Sequence, residues 1–139
     1  MTLRVGRTDD IETCLALRRV VFIEEQGVSV EEEVDGKDPE AHHILATLDG
    51  SAIGTARVQS FGTTAKIGRV CVLSEHRGKG FGVALIEASQ DIAQTFGATR
   101  VILGAQESAI GFYEQLGYRA YGDRFDDADI PHQMMEIGV

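Results

Sequence analysis

The chain contains no tryptophan, only 2 prolines and 2 cysteines, and aromatic residues make up just 6% of it. Cys14 and Cys71 stand far apart and form no metal-binding or redox spacing, which argues against a disulfide-stapled scaffold and against a zinc module. No His/Glu spacing suited to a catalytic metal occurs, so no metal is expected. Basic residues are scarce: 13 Lys and Arg stand against 22 Asp and Glu, a net charge of -9. Binding to a phosphate backbone needs a cationic surface, so nucleic acid is not expected as a partner. Apolar runs stay well short of the about eighteen residues of a membrane span, and no membrane partner is expected. Met1 to Arg7 lacks the apolar core of a signal peptide, and the expected compartment is the cytoplasm.

What is present is an ordinary globular balance. The chain has 139 residues, 43% hydrophobic and 25% charged, enough for one domain over 1–139 with its own core. Thr2 to Arg7 reads as a first strand, and Thr8-Asp9-Asp10 as the cap of a helix. In that helix Ile11, Leu15, Leu17, Val21 and Phe22 recur at near-helical spacing, with Arg18 and Arg19 between them, until Gly27 ends it. Val28 to Glu40 is a polar connection. His42 to Leu48, Ala52 to Gln59 and Thr64 to Leu73 predict an antiparallel meander turning at Asp49-Gly50 and near Gly62. A second long helix follows, with Phe81, Leu85, Ala88, Ile92 and Phe96 on its core face and Gly97 at its end. Val101 to Ala105 is a short strand, parallel to its predecessor if that helix is a crossover. Tyr118 to Tyr121 and Gln133 to Ile137 predict a closing hairpin with Asp126 to Pro131 as its loop. The fold class predicted is α/β, with a mixed, twisted sheet of about six or seven strands.

Between the third meander strand and the second long helix lies Arg77-Gly78-Lys79-Gly80-Phe81-Gly82. A glycine-rich strand-to-helix turn lets the backbone approach a ligand closely, and the free N–H groups and dipole of the helix start favour an anion. Arg77 and Lys79 bring positive charge to that mouth, against the sign of the whole chain. The loop is not a P-loop, because Lys79 is followed by Gly80 and not by a hydroxyl residue. Nor is it the dinucleotide fingerprint, whose third glycine falls three residues after the second.

Val70-Cys71-Val72-Leu73 followed by Arg-x-x-Gly-x-Gly resembles the coenzyme A loop of the GCN5-related N-acetyltransferases. Downstream, Gln106 through Tyr118 resembles the family segment in which a helix carries a tyrosine and ends in Gly-Phe or Gly-Tyr. Val21-Phe22 with Glu25-Gln26, Asp35-Gly36-Lys37-Asp38, His42-His43, Lys66 to Val70 and Ile130-Pro131-His132 are similar to the bacterial ElaA-like branch. The resemblance spans almost the whole chain. It implies a GNAT fold with about four helices around the sheet, and acetyl-CoA as cosubstrate. It also implies transfer of the acetyl group to a primary amine, expected to be a small molecule, by direct attack in a ternary complex.

The same resemblance implies roles. Val70, Cys71 and Val72 would bond the pantetheine arm as an added strand, and Arg77, Gly78, Lys79, Gly80, Phe81, Gly82 and Val83 would hold the pyrophosphate. Tyr113 stands where the family's tyrosine protonates the departing sulfur. Gln106 replaces the usual asparagine and would contact the cofactor. The Val72 N–H is a candidate oxyanion donor. Gly68 stands near where other members place an acid, so no base declares itself. His132, held by Pro131, is the leading alternative. His42 and His43 face opposite sides of a strand, so only one reaches the cleft, and His43 and Glu25 are candidates for the acceptor side. Cys71 has no activating base nearby and reads as inert. The acidic run from Glu24 to Glu40 reads either as a solvated loop or as an attractor of a cationic amine. A domain that binds or senses acyl-CoA without turnover is the alternative from another class, and a homodimer is a further expectation.

Overall fold

The computed structural model describes residues 2–139 and shows a mixed sheet of eight strands with helices on both faces. Strands β1 (Leu3–Thr8), β2 (His42–Leu48), β3 (Ser51–Phe61) and β4 (Thr64–Val72) form the antiparallel meander. Asp49 and Gly50 both take positive φ between β2 and β3, the geometry that matches a tight turn to strand twist. Helix α3 (Phe81–Thr95) crosses over to β5 (Arg100–Gln106), which lies parallel to β4. β8 (Ile130–Gly138) then runs antiparallel beside β5.

The closing hairpin departs from its expected form. β6 (Arg119–Ala120) and β7 (Phe125–Asp127) pair with different stretches of β8. Ala128 and Asp129 sit at φ 52° and 61°, so the segment expected as a loop is itself a tight hairpin and supplies the eighth strand. A non-glycine pair in the left-handed region leaves little local sequence signal.

Helix α1 (Ile11–Arg18) is capped by Asp10, whose carboxylate accepts from the Thr13 N–H at 3.2 Å and the Thr13 hydroxyl at 2.6 Å. It runs on as a π-helical segment, Arg19–Glu25, that ends where Gly27 adopts φ +75°. Short α2 (Val30–Glu33), capped by Ser29, follows. α1 and the π-helical segment cover one sheet face, with Leu17 and Val21 against Cys71, and α3 covers the other. The buried stripe of α3 is Phe81, Leu85, Ile86, Ser89 and Ala93; Ala88 and Ile92 flank it. Phe96, expected on that stripe, falls beyond the last helical turn and is 40% exposed, stacked on His42 at 4.1 Å.

The acidic run is neither solvated nor open to a ligand throughout. Arg18, 1% exposed, pairs with Glu33 and binds both oxygens of Asp38 at 2.8 and 3.1 Å. Arg57 binds Asp35 through two bonds of 2.9 Å and Asp38 at 3.2 Å. Arg69 donates to the Glu32 and Glu33 carbonyls at 3.2 and 3.0 Å. Three arginines and three carboxylates from distant stretches thus neutralise one another on the α1 face, and this knot fixes the Val28–Glu40 connection against β3 and β4.

Candidate active site

β4 and β5 pair only from Thr64 to Ile67 against Arg100 to Leu103, and beyond that point the two strands separate. One cause lies in β4. Its register with β3 steps from Thr55↔Cys71 to Arg57↔Gly68, which inserts one extra residue, and Arg69 takes φ +52° there. A left-handed arginine is strained, and its guanidinium bonds to the α2 carbonyls hold it. The edge of β4 facing β5 is therefore left without a partner strand after Ile67. Leu73 N–H donates to Ile53 on the β3 side at 2.8 Å. Backbone alternation turns the Val72 N–H to the open edge.

Two cavities meet in this opening. The first, about 280 Å³, is floored by Gly68, Val70 and Gly104 and walled by Phe22, Gln106, His132 and Met134. The second is a groove along Val70, Cys71 and Val72 to Gly78, Gly80, Phe81, Gly82 and Val83 at the start of α3. Gln26, Val70, Ala109 and Tyr113 line both, so the passage between them runs past the tyrosine.

The groove has the character of an anion cradle. Gly78 and Gly80 take φ +74° and +83°, and a Cβ at either would meet only open space. Gly80 caps α3, whose 15 residues aim their dipole at the loop. Arg77 lines the groove but is already engaged: its Nε donates to the Val72 carbonyl at 2.9 Å and its two terminal nitrogens to Glu25 at 2.6 and 2.8 Å. Lys79 is exposed and outside the groove lining. The Cys71 side chain packs into the Leu17–Val21 cluster, and burial pushes its thiol up to about 12. The thiol is no nucleophile, and by the same alternation the Cys71 backbone faces β3, which leaves Val70 and Val72 to face the open edge.

Tyr113 comes from α4 (Ile110–Gln115), edge-on to Phe112 at 5.0 Å and to Tyr118 at 5.7 Å. Burial pushes its phenol up to about 12, so it keeps its proton at neutral pH. His132 lies opposite Gln106 in the β5–β8 register, 9% exposed and stacked on Phe125 at 5.6 Å. Its Nδ1 lies 2.7 Å from the Ile130 carbonyl, an oxygen that can only accept. Nδ1 therefore carries a hydrogen, which makes Nε2 the nitrogen with the lone pair whenever the ring is uncharged.

Of the residues expected on the acceptor side, His132 lines the first cavity, whereas His43 and Glu25 line neither. His43 is buried beneath the ionic knot, with Nε2 2.9 Å from the Asp38 carbonyl. Glu25 faces away to Arg77, and its neighbour Gln26 enters the opening instead, accepting from Gln106 at 3.0 Å. Gln106 lies in the first cavity and not in the groove. Phe22, Gln59 and Lys66 also line the first cavity; the motifs Val21-Phe22 and Lys66 to Val70 carry a family resemblance but no role for these side chains, and nothing local marks Gln59.

An acetyltransferase (GNAT) domain family model matches residues 19–139. YjcF of Bacillus subtilis, named an uncharacterized N-acetyltransferase, is 36% identical over 130 residues, covering 92% of this chain and 93% of YjcF. The crystal structure of an acyl-CoA N-acyltransferase from Pseudomonas aeruginosa superposes with a TM-score of 0.83 at 30% identity, over 97% of each chain. Escherichia coli ElaA superposes with a TM-score of 0.83 at 25% identity, again over 97% of each chain. The chain belongs to the GNAT acetyltransferase family.

Proposed function

We propose that the protein moves an acetyl group from acetyl-CoA to the primary amine of a small molecule, in a complex that holds both substrates at once. The observation that carries this reading is the junction at Tyr113, where a cradle suited to a pyrophosphate meets a separate small cavity. At about 280 Å³ the first cavity is near the lower end of small-ligand pockets, about 300 Å³. The open edge of β4 at Val70–Val72 would take the pantetheine arm as a strand, and the N–H groups from Gly78 to Val83 the pyrophosphate. The thioester then lies at the junction. The amine nitrogen attacks the carbonyl carbon, and the Val72 N–H faces the edge where the oxyanion forms. As the C–S bond breaks, the Tyr113 phenol gives its proton to the sulfur, and Nε2 of His132 takes the proton the amine sheds, directly or through water. The products are the N-acetylated amine and free coenzyme A, and no acyl-enzyme is needed.

A non-catalytic acyl-CoA-binding domain is the second reading. Gly68 favours it, because this position offers no carboxylate base. Incubation with acetyl-CoA and a panel of amines, read as free thiol and as acetylated product by mass, tests the proposal. Binding of acetyl-CoA without product from any amine would support the second reading.

A further inference from the structure

On the reading of an amine acetyltransferase, we propose that the acceptor also carries a carboxylate, held by Lys66 at the end of the first cavity away from Tyr113. Lys66 projects from β4 beside its cross-strand neighbour Gln59, and both line the cavity. The other cations of this wall have carboxylates: Arg57 has Asp35 and Asp38, and Arg69 has Asp35 and Glu33. Lys66 forms no salt bridge among the described residues, although the chain carries an excess of acid. Its surroundings add to the mismatch. Burial lowers its basicity first, Lys37 and Arg57 lower it further, Asp127 opposes them, and Arg69 adds to the lowering, so the balance around this cation is still positive.

Arg57 supplies a second, independent sign. It lines the same cavity, is 4% exposed, and its Nε–H lacks an acceptor. Buried donors are ordinarily paired, and each exception calls for an explanation; on this wall the Nε of Arg69 has no hydrogen-bond partner either, so two guanidiniums of the cavity have a donor to offer. The neighbouring acids cannot fill the role: Glu33, Asp35 and Asp38 are bound into the ionic knot. Glu32 and Asp127 border the cavity as exposed groups, and Glu32 accepts from the Ser29 hydroxyl at 2.9 Å. The wall thus offers a charge-assisted site for a carboxylate.

The position of the lysine also constrains the ligand's length. Lys66 stands four residue steps before Val70 at the transfer point, a span of at most about 13 Å along a strand rising about 3.3 Å per residue. The bulge at Arg69 and the reach of the lysine side chain shorten it. An amine and a carboxylate separated by several carbons fit this span, and an α-amino acid does not.

The test is the acetylation of ω-amino acids of increasing length by the intact protein, each compared with its matched ω-amino carboxamide. At the best length kcat/KM for the carboxylate should exceed that for the amide about tenfold to a hundredfold, the worth of a charged hydrogen bond. Lys66→Met, which keeps the stem and removes the charge, should bring that ratio to about one through KM, and Lys66→Arg should retain most of it. A wild-type check needs no variant: the N-acetylated carboxylate should inhibit competitively against the amine, and the N-acetylated amide should not. Equal use of carboxylates and amides, or a preference that survives Lys66→Met, would overturn the inference alone. No thiol release with any amine would overturn acetyl transfer itself, and the inference with it.

Discussion

Arg77 and Glu25 form a two-pronged ion pair, at 2.6 and 2.8 Å, that ties the glycine loop to the end of the first helix. The two side chains are 42% and 39% exposed, so the pair is worth at most about 1 kcal/mol to stability. Its larger consequence concerns the cradle, where Glu25 holds the guanidinium that lines the groove. Glu25→Gln is therefore expected to leave chemical denaturation nearly unchanged and to tighten coenzyme A binding a few-fold, about 1 kcal/mol or less. Isothermal titration reads this directly. A change confined to KM for the amine would return Glu25 to the acceptor side.

Removing the Tyr113 hydroxyl isolates its chemistry from its packing. Tyr113→Phe should lower kcat about a hundredfold, the typical weight of a general acid, while the affinity for coenzyme A stays the same. Single-turnover rates and a binding titration on the same preparation separate the two. Full activity would leave the ring with only its contacts to Phe112 and Tyr118.

The elements with short-range signals were legible in the sequence. The Asp10 cap, the Asp49-Gly50 turn and the glycine loop each carry their instruction within a few residues, and the crossover to a parallel β5 follows from the helix between two strands. The ionic knot was not legible. Arg18, Glu33, Asp38 and Arg57 lie on separate segments, and an acidic run looks the same whether its counter-ions are solvent or arginines from elsewhere. The exchange of Glu25 for Gln26 at the opening arises from the π-helical segment, which rotates the helix end relative to an α-helical count. Lys66 stood in a family-like motif, but its role stayed hidden because it rests on a missing partner.

The knot makes stability depend on acid. Burial alone would raise the Asp35 and Asp38 carboxyls, but hydrogen bonds from Arg57 and Arg18 outweigh it and hold both below the ordinary carboxylate range. Groups whose folded value is depressed contribute fully above their unfolded value of about 3.9, and lose that contribution as pH falls below about 4. Asp38→Asn should cost about 3 kcal/mol at neutral pH, since it leaves Arg18 and Arg57 undercompensated, and the loss on acidification should become shallower. Urea denaturation at several pH values measures both. An unchanged acid limb would exclude Asp38 as a source.

For His132 the geometry puts a hydrogen on Nδ1, so the uncharged ring presents the lone pair of Nε2. His132→Gln keeps a polar side chain and removes the base, so kcat/KM for the amine should fall by about a hundredfold, and the acidic limb of its pH profile should change shape. Circular dichroism guards against a folding defect. A profile identical to wild type would leave His132 a structural partner of Phe125 and the Ile130 carbonyl.

The central claim is direct transfer between two substrates that meet at Tyr113, and a two-substrate initial-rate matrix tests it most directly. Acetyl-CoA and an accepted amine are each varied, with thiol and acetylated amine measured together. Direct transfer predicts equal amounts of the two products and double-reciprocal lines that intersect. Parallel lines, with acetyl-protein detectable in the absence of amine, would contradict it.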